Sequence, residues 1–289
     1  MKSRYLIDRS SKALVLVCAS ASFVILLAIA IFTLKEALPA FRQVGLLHFL
    51  FGTEWSPRNN EFGILPMIVG SIVVTAGALI IAVPLGIACA ILLAEVAPVR
   101  VRQFLRPAVE LLVGIPSVVY GLVGMVLVVP LIRHIGGSGY SVASGVIVLT
   151  GMVLPTIISI SEDSIRAVPK SYKEGALALG ATHWQTIWRV LVPAARSGII
   201  ASIVLAVGRA IGEAMAMIMV LGNAPVIPTS LLGPARTLAG SIAAEVNYAG
   251  GVHQSALFAT AVVLFFMIMI INSVALIVLG RGGRVQSIG

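Results

Sequence analysis

Six apolar runs, each long enough to cross a hydrocarbon layer as a helix, dominate the sequence: residues 13–34, 68–95, 108–132, 141–161, 198–221 and 255–279. About 20 residues suffice for a crossing. In lipid the backbone must satisfy its own polar groups, so a spanning segment is a helix or part of a closed barrel. Barrel strands show a weak two-residue alternation, and these unbroken runs do not. The expectation is one all-α integral membrane domain over 1–289 with six transmembrane helices. Only 11% of residues are charged and the mean hydropathy is +1.07, against about 25% charged in a soluble domain. The 68–95 run carries Pro84, which is expected to kink it.

The net charge of +9 raises the question of nucleic acid, but its distribution answers differently. With the N-terminus inside, the cytoplasmic segments hold Lys2, Arg4, Arg9, Lys12, Arg100, Arg102, Arg106, Arg166, Lys170, Lys173, Arg189, Arg196, Arg281 and Arg284, which is 14 of the 20 basic residues. The outer loops hold Lys35, Arg42, Arg58, Arg133 and Arg236. This is the positive-inside asymmetry of a multi-pass inner-membrane protein with both termini cytoplasmic, and nucleic acid is not an expected partner. The first run is too long for a secretory signal, and its small residues lie inside the apolar stretch. Cys18 and Cys89 both sit in apolar runs, which marks them as packing residues and not metal ligands.

Glycines recur inside the runs, among them Gly70, Gly77, Gly86, Gly114, Gly121 and Gly124. Small residues let helices approach closely in lipid, and Pro84, Pro116 and Pro130 add places to bend. The connections read as a turn-rich outer segment at 35–67, a short basic cytoplasmic loop at 96–107, an outer turn at 133–140, a long cytoplasmic connection at 162–197 and a long outer one at 222–254.

The cytoplasmic connection contains EGALALGATHWQTIWRVLVP, residues 174–193. Ser171-Tyr172-Lys173-Glu174 and Thr182-His183-Trp184-Gln185 both have the hydroxyl and the carboxylate or amide, three residues apart, of a capping box. Gly180 between them offers a left-handed stop, and Pro193 a break before the fifth span. Two short helices are predicted, and a two-turn helix alone is marginal in water. It needs packing, on its own protein or on a partner. A passive amphipathic helix lying on the membrane surface is the plainer alternative.

The segment resembles the signature of importer-type ABC permeases: a Glu-Ala-Ala start, a glycine four residues after the second alanine, and an Ile-x-Leu-Pro end. Here Glu174-Gly175-Ala176 starts it, Gly180 keeps the offset, and Val190-Leu191-Val192-Pro193 ends it. Gly175 replaces an alanine at about 1 kcal/mol of helix propensity. Three further stretches, FGILPMIVGS (62–71), VGIPSVVYGL (113–122) and GRAIGEAMAMIMVLGNAP (208–225), resemble the phosphate-specific ABC importers, and FGTEWSP (51–57) looks like their C-type permease subunit. The resemblance covers residues 40–281. It implies the type I ABC importer permease fold and a coupling-helix segment at 171–193 carried by Ser171, Glu174, Gly175, Ala176, Gly180, Thr182 and Pro193. Its implied partners are a second homologous A-type permease chain, a dimer of ATP-binding subunits where ATP and Mg act, and an extracytoplasmic phosphate-binding protein.

Arg209 and Glu213 lie four residues apart in the fifth run, the spacing of one helix face. A mid-bilayer arginine costs about 2.5–3.5 kcal/mol even on lenient scales. The two either neutralise each other and hold packing, or line a pathway in which arginine offers forked donors to an anion. The family resemblance favours the pathway. Ser117 and Tyr120 flank Pro116 and join them as candidates for hydrogen-bonding an anion in transit, or for holding helices together.

The sequence contains no G-x-x-x-x-G-K-[ST] phosphate loop, no H-E-x-x-H and no G-x-S-x-G. A non-catalytic permease subunit for inorganic phosphate, driven by a separate ATPase and binding no cofactor itself, accounts for this pattern. The competing readings are a permease for molybdate or sulfate, an ion-driven secondary carrier or channel, and a membrane scaffold.

Overall fold

The computed structural model describes residues 2–280; Met1 and residues 281–289, with Arg281 and Arg284, lie outside the described residues. Helix α1 (Lys2–Val44) leads through Gly45 into α2 (Leu46–Phe51), and a two-residue hairpin, β1 (Trp55–Ser56) with β2 (Glu61–Phe62), closes the first outer segment. Then follow α3 (Leu65–Ile91), α4 (Val99–Gly114), α5 (Ser117–Val123), α6 (Val129–Ile135), α7 (Val142–Arg166), α8 (Lys170–Ala178), α9 (His183–Thr186), α10 (Val192–Ala194), α11 (Arg196–Ile211), α12 (Met215–Val220), α13 (Leu238–Glu245) and α14 (Val252–Gly280). Single π-helical stretches extend α3 (Leu92–Val96), join α5 to α6 (Gly124–Val128) and join α9 to α10 (Ile187–Leu191).

Among the described residues, five stretches are long and apolar enough to cross a membrane: Leu14–Val44, Leu65–Val96, Ser117–Ile135, Val142–Arg166 and Val252–Ile277. A sixth arises if His183–Ala194 and Arg196–Ile211, which meet at a 67° bend, are taken together. The bundle centres on α3 and α7, with α11 and α12 against α7. Gly77 and Gly86 of α3 explain the close approach: a Cβ at either would overlap Val146 or Ile157 of α7. Helix α1 runs about 64 Å at 1.5 Å per residue and packs along α14, with Phe32 edge-on to Phe258 at 5.7 Å. A second cluster gathers Phe49, Trp55, Phe62, Met67 and Leu257 at the hairpin end. A third, with Ile91, Ile165, Ile187, Leu191 and Ile199, sits at the α8 end.

Three expectations need correction. Residues 96–107 are not a loop: α4 begins at Val99 and continues to Gly114, so the spanning segment starts at Ser117 and not at 108. The reason is Pro116, which forces Ile115 into an extended conformation (φ −68°, ψ 128°) and ends the helix. The fifth run is interrupted between Ile211 and Met215. The Ser171 capping box is the third, and its failure lies with Pro169; Pro84 lies inside α3, which runs on past it.

Candidate functional site

The α8 end presents the segment singled out in the sequence. Helix α8 opens at Lys170 behind Pro169, so Ser171 lies within the first turn and caps nothing. The first of the two capping boxes is therefore not formed: proline's fixed φ starts the helix one residue earlier. Glu174 is exposed. The stop is more elaborate than a single glycine. Gly180 takes φ +83°, its N–H donates to the Leu177 carbonyl at 3.0 Å, and the Ala181 N–H reaches Ala176 at 3.1 Å. That pair of bonds is a Schellman motif, and it gives Ala176 a backbone role. The second capping box is complete: Gln185 N donates to Thr182 Oγ1 at 3.2 Å and Thr182 N to Gln185 Oε1 at 2.9 Å. Pro193 stands inside α10, and the turn into α11 falls at Ala195.

The segment faces two ways. Thr186, Ile187 and Leu191 are buried with Ile91 and Ile165. Outward it shows Tyr172, Leu177, Gly175 and Leu179, the last 91% exposed. No side chain of α8 is buried, so the helix is held by its ends and by one ion pair: Lys173 Nζ lies 2.5 Å from Glu95 Oε2 at the end of the second span. The two partners are 78 residues apart in the chain. Beside this pair, a cleft of about 430 Å³ is lined by Glu95, Arg102, Arg166, Lys170 and Glu174. Arg106 reaches from α4 to Asp163 (2.9 Å) and Glu162 (3.6 Å), and also holds Glu110 (3.0 Å). Its guanidinium is raised above the ordinary arginine range by the Glu110 hydrogen bond, partly offset by burial and reinforced by the charges of Asp163 and Glu162.

Within the bundle, Arg209 and Glu213 do not pair, because the helix that would have aligned them ends at Ile211. Arg209 donates from Nη1 to Thr156 Oγ1 on α7 at 3.3 Å, and its other donors have no hydrogen bond among the described residues. Glu213, buried at 9% exposure, accepts from Ala216 N at 3.0 Å and so satisfies the first turn of α12. Tyr120 donates to the Leu112 carbonyl at 2.9 Å, bracing the break at Pro116. It is also close enough to Arg209 to interact with it electrostatically. Ser117 sits one turn earlier at the start of α5 and its hydroxyl makes no hydrogen bond among the described residues. Helices α5 and α12 pack together, Gly121 lying against the Ala216 backbone. The first helix of the third span and the interrupted fifth span thus meet beside an arginine. Irregular backbone within a span, as between Ile211 and Met215, is tolerated where it is buried in protein or lines a cavity.

A third cluster escaped the sequence reading because its members span 199 positions of chain. Glu245, at the end of α13, accepts from Trp55 Nε1 (3.0 Å) and Arg236 Nη1 (2.6 Å) and contacts His253 Nε2 (2.7 Å). Burial raises its pKa, but the bonds from His253 and Trp55 and the charge of Arg236 prevail and hold it below the usual carboxylate value.

Residues 82–281 match the family described as binding-protein-dependent transport system inner membrane component. Probable ABC transporter permease protein YqgH of Bacillus subtilis (strain 168) is 42% identical over 274 residues, covering 92% of this chain and 89% of the relative. Phosphate transport system permease protein PstC of Pasteurella multocida (strain Pm70) is 35% identical over 254 residues, covering 81% and 79%. Among solved structures, a chain of a bacterial ABC transporter that imports the acidic polysaccharide alginate aligns with a TM-score of 0.68 at 15% identity, over 96% of this chain and 99% of that one. A chain of the inward-facing MetNI methionine ABC transporter aligns with a TM-score of 0.56 at 19% identity, over 77% and 95%. At those identities the structural likeness is one of fold alone.

Proposed function

The chain belongs to the family of binding-protein-dependent inner-membrane transport components and has the fold of ABC importer permeases, and on that footing we propose that it is the permease subunit of an ATP-driven importer of inorganic phosphate. The relatives named as phosphate permeases at 35–37% identity support the cargo. The observation that carries the mechanism is the short helix α8, closed by a Schellman motif, with no buried side chain and one ion pair to the end of a span.

In this reading the α8 end faces the cytoplasm and both termini lie on that side, as the excess of arginine and lysine directs. A dimer of ATP-binding subunits receives α8 in a cleft, and ATP and Mg act there and not on this chain. An A-type homologue supplies the other half of the pathway, and an extracytoplasmic binding protein delivers phosphate at the hairpin end. When ATP closes the nucleotide-binding subunits, α8 moves as a rigid piece. Lys173 carries that displacement to α3 through Glu95, and the packed Ile187 and Leu191 carry it to α7 and α11. Arg209 then offers its unbonded donors to the phosphate as it passes the paired breaks at Pro116 and Gly212.

The test is uptake of radiolabelled phosphate into proteoliposomes holding the complete complex and binding protein. ATP-dependent uptake competed by arsenate but not by sulfate or molybdate supports the reading. Uptake competed best by sulfate or molybdate reassigns the cargo, and ATP-independent uptake by this chain alone reassigns the class to a secondary carrier.

A further inference from the structure

We propose that α4 is an interfacial helix that docks on the phospholipids of the leaflet at the α8 end, with its apolar face among the acyl chains and Arg100 on a headgroup phosphate. Its placement follows from its neighbours. It is joined to the second span by extended Ala97 and Pro98, and to the third by extended Ile115 and Pro116. The segment Ser117–Ile135 is 19 residues long, about 28 Å and close to the hydrocarbon thickness. Its first residue therefore sits at the same membrane boundary as the end of α3. A helix tethered at both ends to one boundary lies along it. Arg106, bonded to Asp163 and Glu162 near the end of α7, fixes its roll.

The helix has no buried side chain. At 100° per residue, Leu111, Phe104, Ala108, Val101 and Leu112 share one face. Phe104 is 77% exposed and Leu111 74%. Glu110 and Gln103 occupy the opposite side, the pattern of an interfacial helix. Arg100 falls at the border beside Leu111, and among the described residues it makes no hydrogen bond or ion pair. A border arginine can keep its stem along the acyl region while its head reaches phosphate. A separate feature marks the same depth. Trp184 and Trp188, edge-on at 6.3 Å and 58% and 51% exposed, stand at this end. Trp184 lines an open groove with Leu85, Leu92 and Val96 of the second span, and indoles collect at the headgroup level.

The test places p-benzoylphenylalanine at position 104, and separately at 111, in the full complex reconstituted in phosphatidylethanolamine–phosphatidylglycerol vesicles. Irradiation is followed by mass spectrometry. The expected products are phospholipid adducts at both positions, enriched in the anionic lipid. Arg100→Gln lowers that enrichment up to about five-fold, the worth of one basic residue at an anionic surface. Adducts to another polypeptide, or no lipid adduct at either position, overturn the proposal. Enrichment unchanged in Arg100→Gln overturns the headgroup assignment.

Discussion

Lys173 Nζ and Glu95 Oε2 meet at 2.5 Å, an ion pair that ties the exposed α8 to the end of the second span. Glu95 is 11% exposed and Lys173 35%, so the pair is shielded more than a surface bridge, whose worth is about 0–1 kcal/mol. Lys173→Ala leaves a half-stranded carboxylate, and the complex is expected to retain ATP hydrolysis while phosphate uptake per ATP falls several-fold. The reversed pair, Lys173→Glu with Glu95→Lys, should recover a substantial part of the loss. Uptake and hydrolysis measured together on the same proteoliposomes check this. Parallel loss of both activities in Lys173→Ala would show that the pair holds assembly and not coupling.

Gly180 is the second point on which α8 depends. A side chain at φ +83° costs about 1–2 kcal/mol, although the space around it is open. Gly180→Val should fray the helix without blocking membrane insertion. Hydrogen exchange at α8 should rise by about ten-fold, and recovery of the ATP-binding subunit in a pull-down should fall. Thr182→Ala removes one half of the intact capping box and should cost about 1 kcal/mol. Ser171→Ala should cost far less, because Ser171 lies within the helix behind Pro169.

Those two caps illustrate what the sequence made legible. Hydropathy showed a membrane-spanning all-α chain, and the glycine between two helix-start patterns showed the stop at Gly180, because burial in lipid and a left-handed turn both leave strong local patterns. Pattern alone put a capping box at Ser171, where Pro169 overrides it. It extended the third run back through Pro116 into α4 and ran the fifth across Gly212, since neither the apolar face of a neighbouring helix nor a break within a span changes the local hydropathy. The Glu95–Lys173 and Trp55–Glu245 contacts had no local signature: each joins residues far apart in chain, and only the tertiary fold brings them together.

Arg209 and Glu213 test the interrupted fifth span directly. Their side chains bond Thr156 and the Ala216 N–H, not each other. Stability losses of Arg209→Ala and Glu213→Ala should therefore add, with a coupling below about 0.5 kcal/mol in a double-mutant cycle. Glu213→Gln keeps an acceptor for Ala216 and should be milder than Glu213→Ala. Arg209→Ala should assemble yet lose most phosphate uptake, and Arg209→Lys should recover part of it as a point charge without the fork. Parent-rate uptake in Arg209→Ala would remove this residue from the pathway. A coupling of 1 kcal/mol or more would restore the paired reading.

Glu245 predicts an acid limit for the hairpin end. Its carboxylate is held below the ordinary value by His253, Trp55 and Arg236 against the opposing effect of burial. A carboxyl whose folded pKa is depressed adds stability that is fully present above its unfolded pKa and is lost as pH falls through the folded one. Detergent-solubilised protein should thus keep this contribution at neutral pH, begin to lose it below about pH 4.5, and go on losing it as the pH falls further. Glu245→Gln should remove this part of the acid dependence and lower stability at pH 7. Both variants leave Arg236, 12% exposed, without its carboxylate, a loss of up to about 3–5 kcal/mol, and Glu245→Ala should be the worse because it also removes the acceptor of the Trp55 N–H. Thermal melts from about pH 2 to pH 8, spanning the range below the ordinary carboxylate value, for the parent and both variants read the sign. A parent whose melting temperature tracks Glu245→Gln throughout that range would show that the cluster adds no acid-sensitive stability.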